Sequence, residues 1–179
     1  VETAEGVTGR TYLFCYTRAA ALPVKCMIDD AALALAGAAL DPAAWWALLN
    51  KRYTLIGVQG IVRMAMAALD TACWDALAIA AGVPLATLLG GAPKSVPAYN
   101  SCGLGLMAPA ALADEAERLL AGGFGAVKLR LGYPTLNEDL AALAAVRARI
   151  GEGVKIMVDY NQALTIDEAL RRGHALDEH

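Results

Sequence analysis

Three short apolar runs end in polar side chains of the kinds that do chemistry. Asn100 and Ser101 close the run 96–101, Lys128 and Arg130 lie in the run 126–131, and Asp159 precedes Asn161 at the end of the run 155–160. In an extended strand, side chains two apart share a face, so Lys128 points with Arg130 and Asp159 with Asn161. Two cations, a carboxylate and an amide on one mouth could bind a divalent metal and an anion side by side. Asp159 offers the hard oxygen that Mg²⁺ prefers, and Lys128 a compact positive charge for an anionic substrate group. Charges facing a barrel interior are costly unless paired or used. A plain salt bridge from Lys128 or Arg130 to Asp159 is the non-functional account of the same residues.

These runs need a scaffold that brings their ends together. From residue 95 onward they alternate with amphipathic stretches at 109–121 and 136–150 and a third starting near 166, the pattern of βαβ units around a parallel sheet. A barrel builds its site at the carboxyl ends of such strands and needs eight of them, so three repeats predict part of a (β/α) barrel of the TIM type. A small open α/β sheet is the alternative on pattern alone. Upstream, 7–16 reads as a strand, followed by helices at 19–40, 42–49 and 61–81. The expected fold is α/β, with part of an α+β capping domain over 1–92 and the first three β/α units of the barrel over 93–179.

At 179 residues, 58% hydrophobic and 18% charged, the chain has ample apolar side chain for a core. A net charge of −3 provides no basic stripe for nucleic acid. The stretches 19–40 and 61–81 are long enough to cross a bilayer, but Lys25, Asp29, Asp30, Arg63, Asp70 and Asp75 interrupt them, so both read as core helices. Cys15, Cys26, Cys73 and Cys102 form no C-x-x-C pair and read as free buried thiols of a cytoplasmic protein. No leader of basic then apolar residues is visible at the start.

Longer stretches carry a resemblance. Ala67-Ala68-Leu69-Asp70, continuing through Ala72, Asp75-Ala76, Ala78, Pro84-Leu85 and Leu88-Leu89-Gly90, resembles the first signature of the mandelate racemase and muconate lactonizing group of the enolase superfamily. Val158-Asp159-Tyr160-Asn161-Gln162 resembles the start of its second signature. Ala126-Val127-Lys128-Leu129-Arg130, followed by Gly132-Tyr133-Pro134, resembles its lysine strand. The resemblance implies a Mg²⁺-dependent enzyme that abstracts the proton α to a carboxylate, giving an enediolate whose charge metal and lysine stabilise. It implies Asp159 as a metal ligand, Lys128 as the contact to the substrate carboxylate, and Ser101 and Asn161 as substrate-binding neighbours. It also implies a homo-oligomer. Asp70 and Asp75 match the first signature and are expected to serve helix packing and capping.

The departures bear on the reaction. Where mandelate racemase has a second lysine acting as a base, this chain has Arg130. A guanidinium that stays protonated at working pH is a poor general base. A one-sided reaction, dehydration of an acid sugar or hydroxy acid, is therefore expected over two-base racemisation, with racemase or epimerase as the alternative. The other metal ligands and the base histidine of the family would fall past His179, so the 179 residues alone are expected to be inactive. A non-catalytic fragment or pseudoenzyme is the reading from another class. Gly122-Gly123-Phe124-Gly125 follows a helix and precedes a strand, which suits a helix C-cap and not a nucleotide loop. His174, beside Arg171 and Arg172, reads as part of a solvated face, and Trp45, Trp46 and Trp74 as packing residues.

Overall fold

The computed structural model describes residues 1–177. The chain divides into two compact units, Val1–Lys94 and Ser95–His179, each with its own hydrophobic core.

The first unit contains helices α1 (Arg18–Leu35), α2 (Pro42–Arg52) and α3 (Ile61–Ala80) and the single turn α4 (Leu85–Leu88). The Thr17 and Asp41 side chains accept the N–H groups of Ala20 and Ala44, capping α1 and α2, and Pro42 opens α2, where its missing N–H costs nothing. α1 stops at Leu35 and not at 40, because Gly37, at φ 76°, turns the chain toward α2. Leu35, Trp45, Leu49, Met66 and Cys73 pack together as the core of this unit. Asp30 ties α1 to α2 by accepting Arg52 Nε and Nη2 at 2.8 and 2.7 Å and Tyr53 Oη at 2.8 Å.

The strand expected at 7–16 does not form. Residues 1–9 make an isolated antiparallel bridge, Glu2–Thr8, and 11–15 carry no regular structure. Gly9 lies so close to α3 that a Cβ there would meet Ala72 O at 2.0 Å and Ala76 N at 2.6 Å. The Arg10 N–H donates to Asp75 Oδ2 at 2.7 Å. This segment is held by a helix face instead of a β-ladder, and Asp75 has the packing role expected of it.

In the second unit, α5 (Pro109–Leu120), β1 (Ala126–Arg130), α6 (Leu136–Ile150), β2 (Lys155–Asp159) and α7 (Ile166–Leu176) follow in order. β1 and β2 pair in parallel, from Ala126 opposite Lys155 to Arg130 opposite Asp159. Val127, Leu129 and Leu131 point to one face and are buried with Leu112 and Ala116 of α5 and Ala142, Leu143 and Val146 of α6. Burial of each such leucine or valine contributes roughly 1.5–3 kcal/mol. A capping box opens α6: Thr135 Oγ1 accepts the Glu138 N–H, and Glu138 Oε2 accepts the Thr135 N–H.

The strand expected at 96–101 is reduced to one parallel bridge, Asn100–Val127. Asn100 N–H donates to Ala126 O at 2.9 Å and Lys128 N–H to Asn100 O at 3.0 Å. Residues 96–99 are exposed and outside any ladder among the described residues. β1 thus lies between Asn100 and β2, in chain order and all parallel, as in a (β/α) barrel.

Candidate active site

The alternation along β1 that buries Val127 and Leu129 under the helices turns Lys128 and Arg130 to the opposite face. Asp159 stands opposite Arg130 in register, so it shares that face. Lys128 Nζ reaches Asp159 Oδ2 at 2.6 Å, both side chains about 30% exposed (30% and 29%). The contact holds the lysine above its ordinary proton affinity and the Asp159 carboxyl below its ordinary pKa, the latter helped by the Asn161 N–H on Oδ1 at 2.8 Å. One of the three ammonium donors is spent on Asp159, which leaves two for an anion.

The other predicted site residues are less tightly placed. Arg130 is exposed, and its charge slightly opposes that of Lys128. Asn161 is exposed and acts on Asp159 through its backbone; it and Gln162 adopt successive left-handed conformations, φ 47° and 62°. This costs a residue other than glycine energy, least for asparagine, and turns the chain sharply after β2. Ser101 is exposed, one residue past the bridge. Asn100 faces away, giving Nδ2 to Leu119 O at 3.0 Å and taking the Cys102 N–H on Oδ1 at 3.0 Å.

A buried polar cluster behind the strand ends went unread in the sequence. Asp139 on α6 is fully buried; its Oδ1 accepts the Gly132 and Tyr133 N–H groups at 2.9 and 3.0 Å, and its Oδ2 accepts Tyr160 Oη at 2.9 Å and Arg172 Nη1. Arg172 also donates from Nε to Glu168 Oε1 at 2.6 Å. The solvated face expected for His174 holds for His174 and Arg171, which are exposed, but not for Arg172, which is buried. The i,i+4 spacing of Glu168 and Arg172 was the available signal. Burial opposes ionisation of Asp139, but its two backbone donors, Arg172 and Tyr160 outweigh it and hold the carboxyl below its ordinary range. Burial and the neighbouring Asp139 push the Tyr160 hydroxyl up to about 12.

The buried thiols are corrected too: Cys73 is buried, but Cys26 and Cys102 are exposed, and all four cysteines are free. The glycine run reads as expected, Gly123 at φ 83° closing the turn after α5 by donating to Leu120 O.

Residues 1–90 match the family described as mandelate racemase / muconate lactonizing enzyme, N-terminal domain, and residues 111–179 match the family described as enolase C-terminal domain-like. The chain belongs to the mandelate racemase/muconate lactonizing enzyme family. It is 34% identical to the 3,6-anhydro-alpha-L-galactonate cycloisomerase of Streptomyces coelicolor over 98% of this chain and 49% of that relative. An enolase from alpha pretobacterium bal199 with bound magnesium has a TM-score of 0.91 at 41% identity, covering 99% of this chain and 50% of its own. A Bradyrhizobium enolase complexed with magnesium and mandelic acid has a TM-score of 0.86 at 39% identity, covering 98% and 48%. Other curated relatives include acid-sugar dehydratases and dipeptide epimerases. The chain spans about half the length, or less, of the curated relatives it matches.

Within this family the fold is α/β: part of a TIM-type barrel, with Asp159 at the carboxyl end of β2 and Lys128 reaching it from the middle of β1, preceded by part of a capping domain. Asp159 fits a Mg²⁺ ligand in chemistry, a hard carboxylate whose oxygens each accept one bond and keep lone pairs free. Among the described residues no three His, Cys, Asp or Glu side chains gather at one point, so the donor set here is a single carboxylate. No described helix is long and apolar enough to cross a membrane.

Proposed function

We propose that this protein contributes the lysine and one metal ligand of a Mg²⁺-dependent, cytoplasmic enzyme that removes the proton α to a carboxylate and dehydrates an acid sugar or hydroxy acid through an enediolate. The observation that carries the reading is the 2.6 Å contact between Lys128 Nζ and Asp159 Oδ2 on the open face of two parallel strands. In this reading Asp159 is a Mg²⁺ ligand, Ser101 and Asn161 bind substrate hydroxyls, and Lys128 gives its free donors to the substrate carboxylate. Bound Mg²⁺ would act as a Lewis acid on that carboxylate. The ammonium of Lys128 stays fixed while negative charge grows beside it, so its stabilisation is larger in the transition state than in the bound acid. The remaining ligands and the base are supplied from outside the described residues, and the protein works as a homo-oligomer.

Racemisation or epimerisation of a 2-hydroxy acid is the second reading, favoured by the epimerases among the relatives and by the mandelic acid held by the Bradyrhizobium enolase. Arg130 weighs against it, because it offers no base on the β1 side. The test incubates the intact protein with Mg²⁺ in D₂O against aldonic and aldaric acids and both mandelate enantiomers. Formation of a 2-keto acid that EDTA abolishes is the expected result. Comparable α-proton exchange from both enantiomers would replace dehydratase with racemase. No Mg²⁺-dependent exchange from any acid would make the protein non-catalytic.

A further inference from the structure

Three chain segments leave the sheet beside the candidate site: 101–107 after the Asn100 bridge, starting with Ser101; 131–134 after β1, which carries Lys128; and 160–163 after β2, which ends in Asp159. The second and third return to one side chain, Asp139, and Tyr133 ties the first to it. Asp139 takes the Gly132 and Tyr133 N–H groups on one oxygen, and Tyr160, the residue after Asp159, on the other. Tyr133 extends the cluster to the first segment, where its hydroxyl donates to Met107 O and accepts the Met107 N–H at 2.8 Å. At the strand ends, Leu131 N–H donates to Asp159 O at 3.1 Å and Arg130 N–H to Leu104 O at 2.9 Å.

We infer that Asp139 is a positioning residue that sets the Ser101, Lys128 and Asp159 segments relative to one another, in the reaction proposed above. A fully buried carboxylate is an expensive way to join loops that apolar packing could join. What it adds is direction. Three hydrogen bonds at fixed angles to the second and third segments, with Tyr133 carrying the constraint to the first, leave the segments one arrangement, whereas leucine contacts would allow them to slide. Arg172, anchored by Glu168, balances its charge from behind and leaves the donors at the strand ends in place.

Tyr160→Phe in the intact protein separates positioning from bulk stability, because it deletes one bond to Asp139 and keeps the ring. Positioning predicts a folded variant whose Leu131 and Met107 amides exchange with solvent roughly tenfold faster or more. Neither amide donates to the Tyr160 side chain: Leu131 N–H goes to Asp159 O and Met107 N–H to Tyr133 Oη. It also predicts that kcat falls roughly tenfold or more at nearly unchanged KM. Asp139→Asn should do the same more severely; if it does not fold, Tyr160→Phe decides alone. A lower Tm with exchange at those two amides and kcat per folded molecule as in the parent would overturn the inference and leave Asp139 as a stabilising residue only. If the parent turns over no acid, the functional reading fails, and the exchange rates still decide the positioning.

Discussion

Lys128 and Asp159 meet on a diagonal. Lys128 stands opposite Met157 in the β1–β2 register, and Asp159 opposite Arg130, so the lysine leans two residues toward the carboxyl end to make its 2.6 Å contact. A directly opposed pair would place the lysine lower in the barrel. The lean carries the ammonium to the rim, where a barrel of this family binds its ligand.

Replacing that lysine should therefore cost chemistry far more than stability. Lys128→Met in the intact enzyme is expected to lower kcat/KM for a carboxylate substrate by on the order of 10²-fold or more. The ion pair is partly solvated, so Tm should change by at most a few degrees. Steady-state kinetics beside a thermal melt checks both halves. Unchanged kcat/KM in a folded variant would mean that the pair is only a salt bridge.

Acid should loosen the barrel half through Glu168 and Asp139. Arg171 and then Arg172 hold the Glu168 carboxyl down at about 2, from an ordinary 4.5, and Asp139 is also held below its ordinary range. A carboxylate whose pKa is lower folded than unfolded adds stability that is complete above the unfolded value. That stability is lost as pH falls through the folded one. Urea midpoints should then decline from about pH 4.5 toward about 2. Glu168→Gln should flatten that decline, and a decline of the same steepness in the variant would locate the acid sensitivity elsewhere.

What could be read from the sequence follows how local each feature is. Periodicity placed the helices, since a helix satisfies its own backbone; α1 stops short of 40 because Gly37 takes a positive φ that apolar periodicity does not announce. The runs 7–16 and 96–101 have the composition of strands, but a strand exists only with a partner. Gly9 and Arg10 turned out to be engaged by α3. Lys128 and Asp159 could be matched because alternation fixes their face. Asp139 could not, since α6 is polar at several positions, and only the fold shows that this one meets Tyr160 and Arg172.

Gly9 provides a test of the first unit. A methyl group at this position would sit 2.0 Å from Ala72 O and 2.8 Å from Ala76 Cβ, and a helix backbone cannot swing aside as a side chain can. Gly9→Ala should force the 1–10 segment off α3, break the Arg10–Asp75 bond, and destabilise this unit by roughly 1–3 kcal/mol. Urea unfolding followed by tryptophan fluorescence reads this directly, because all three tryptophans, Trp45, Trp46 and Trp74, lie in this unit. An unchanged midpoint would show that the segment is not seated on α3 in solution.

In the proposed reaction, Arg130 is the residue that favours one-sided over two-sided chemistry. It shares a face with Lys128, whose charge opposes its own, and stands opposite Asp159, whose charge favours it, so a lysine in its place would be an amine between a cation and a carboxylate. Such an amine can release its proton near neutral pH and act as a general base, where a guanidinium cannot. The parent enzyme should exchange the α-proton of one stereoisomer of a hydroxy acid in D₂O, and Arg130→Lys should add exchange of the other, rising with pH as the new amine loses its proton. Both can be followed by proton NMR of the substrate. If the parent already exchanges both stereoisomers at comparable rates, a base other than residue 130 serves the β1 side, and the dehydratase reading gives way to racemisation.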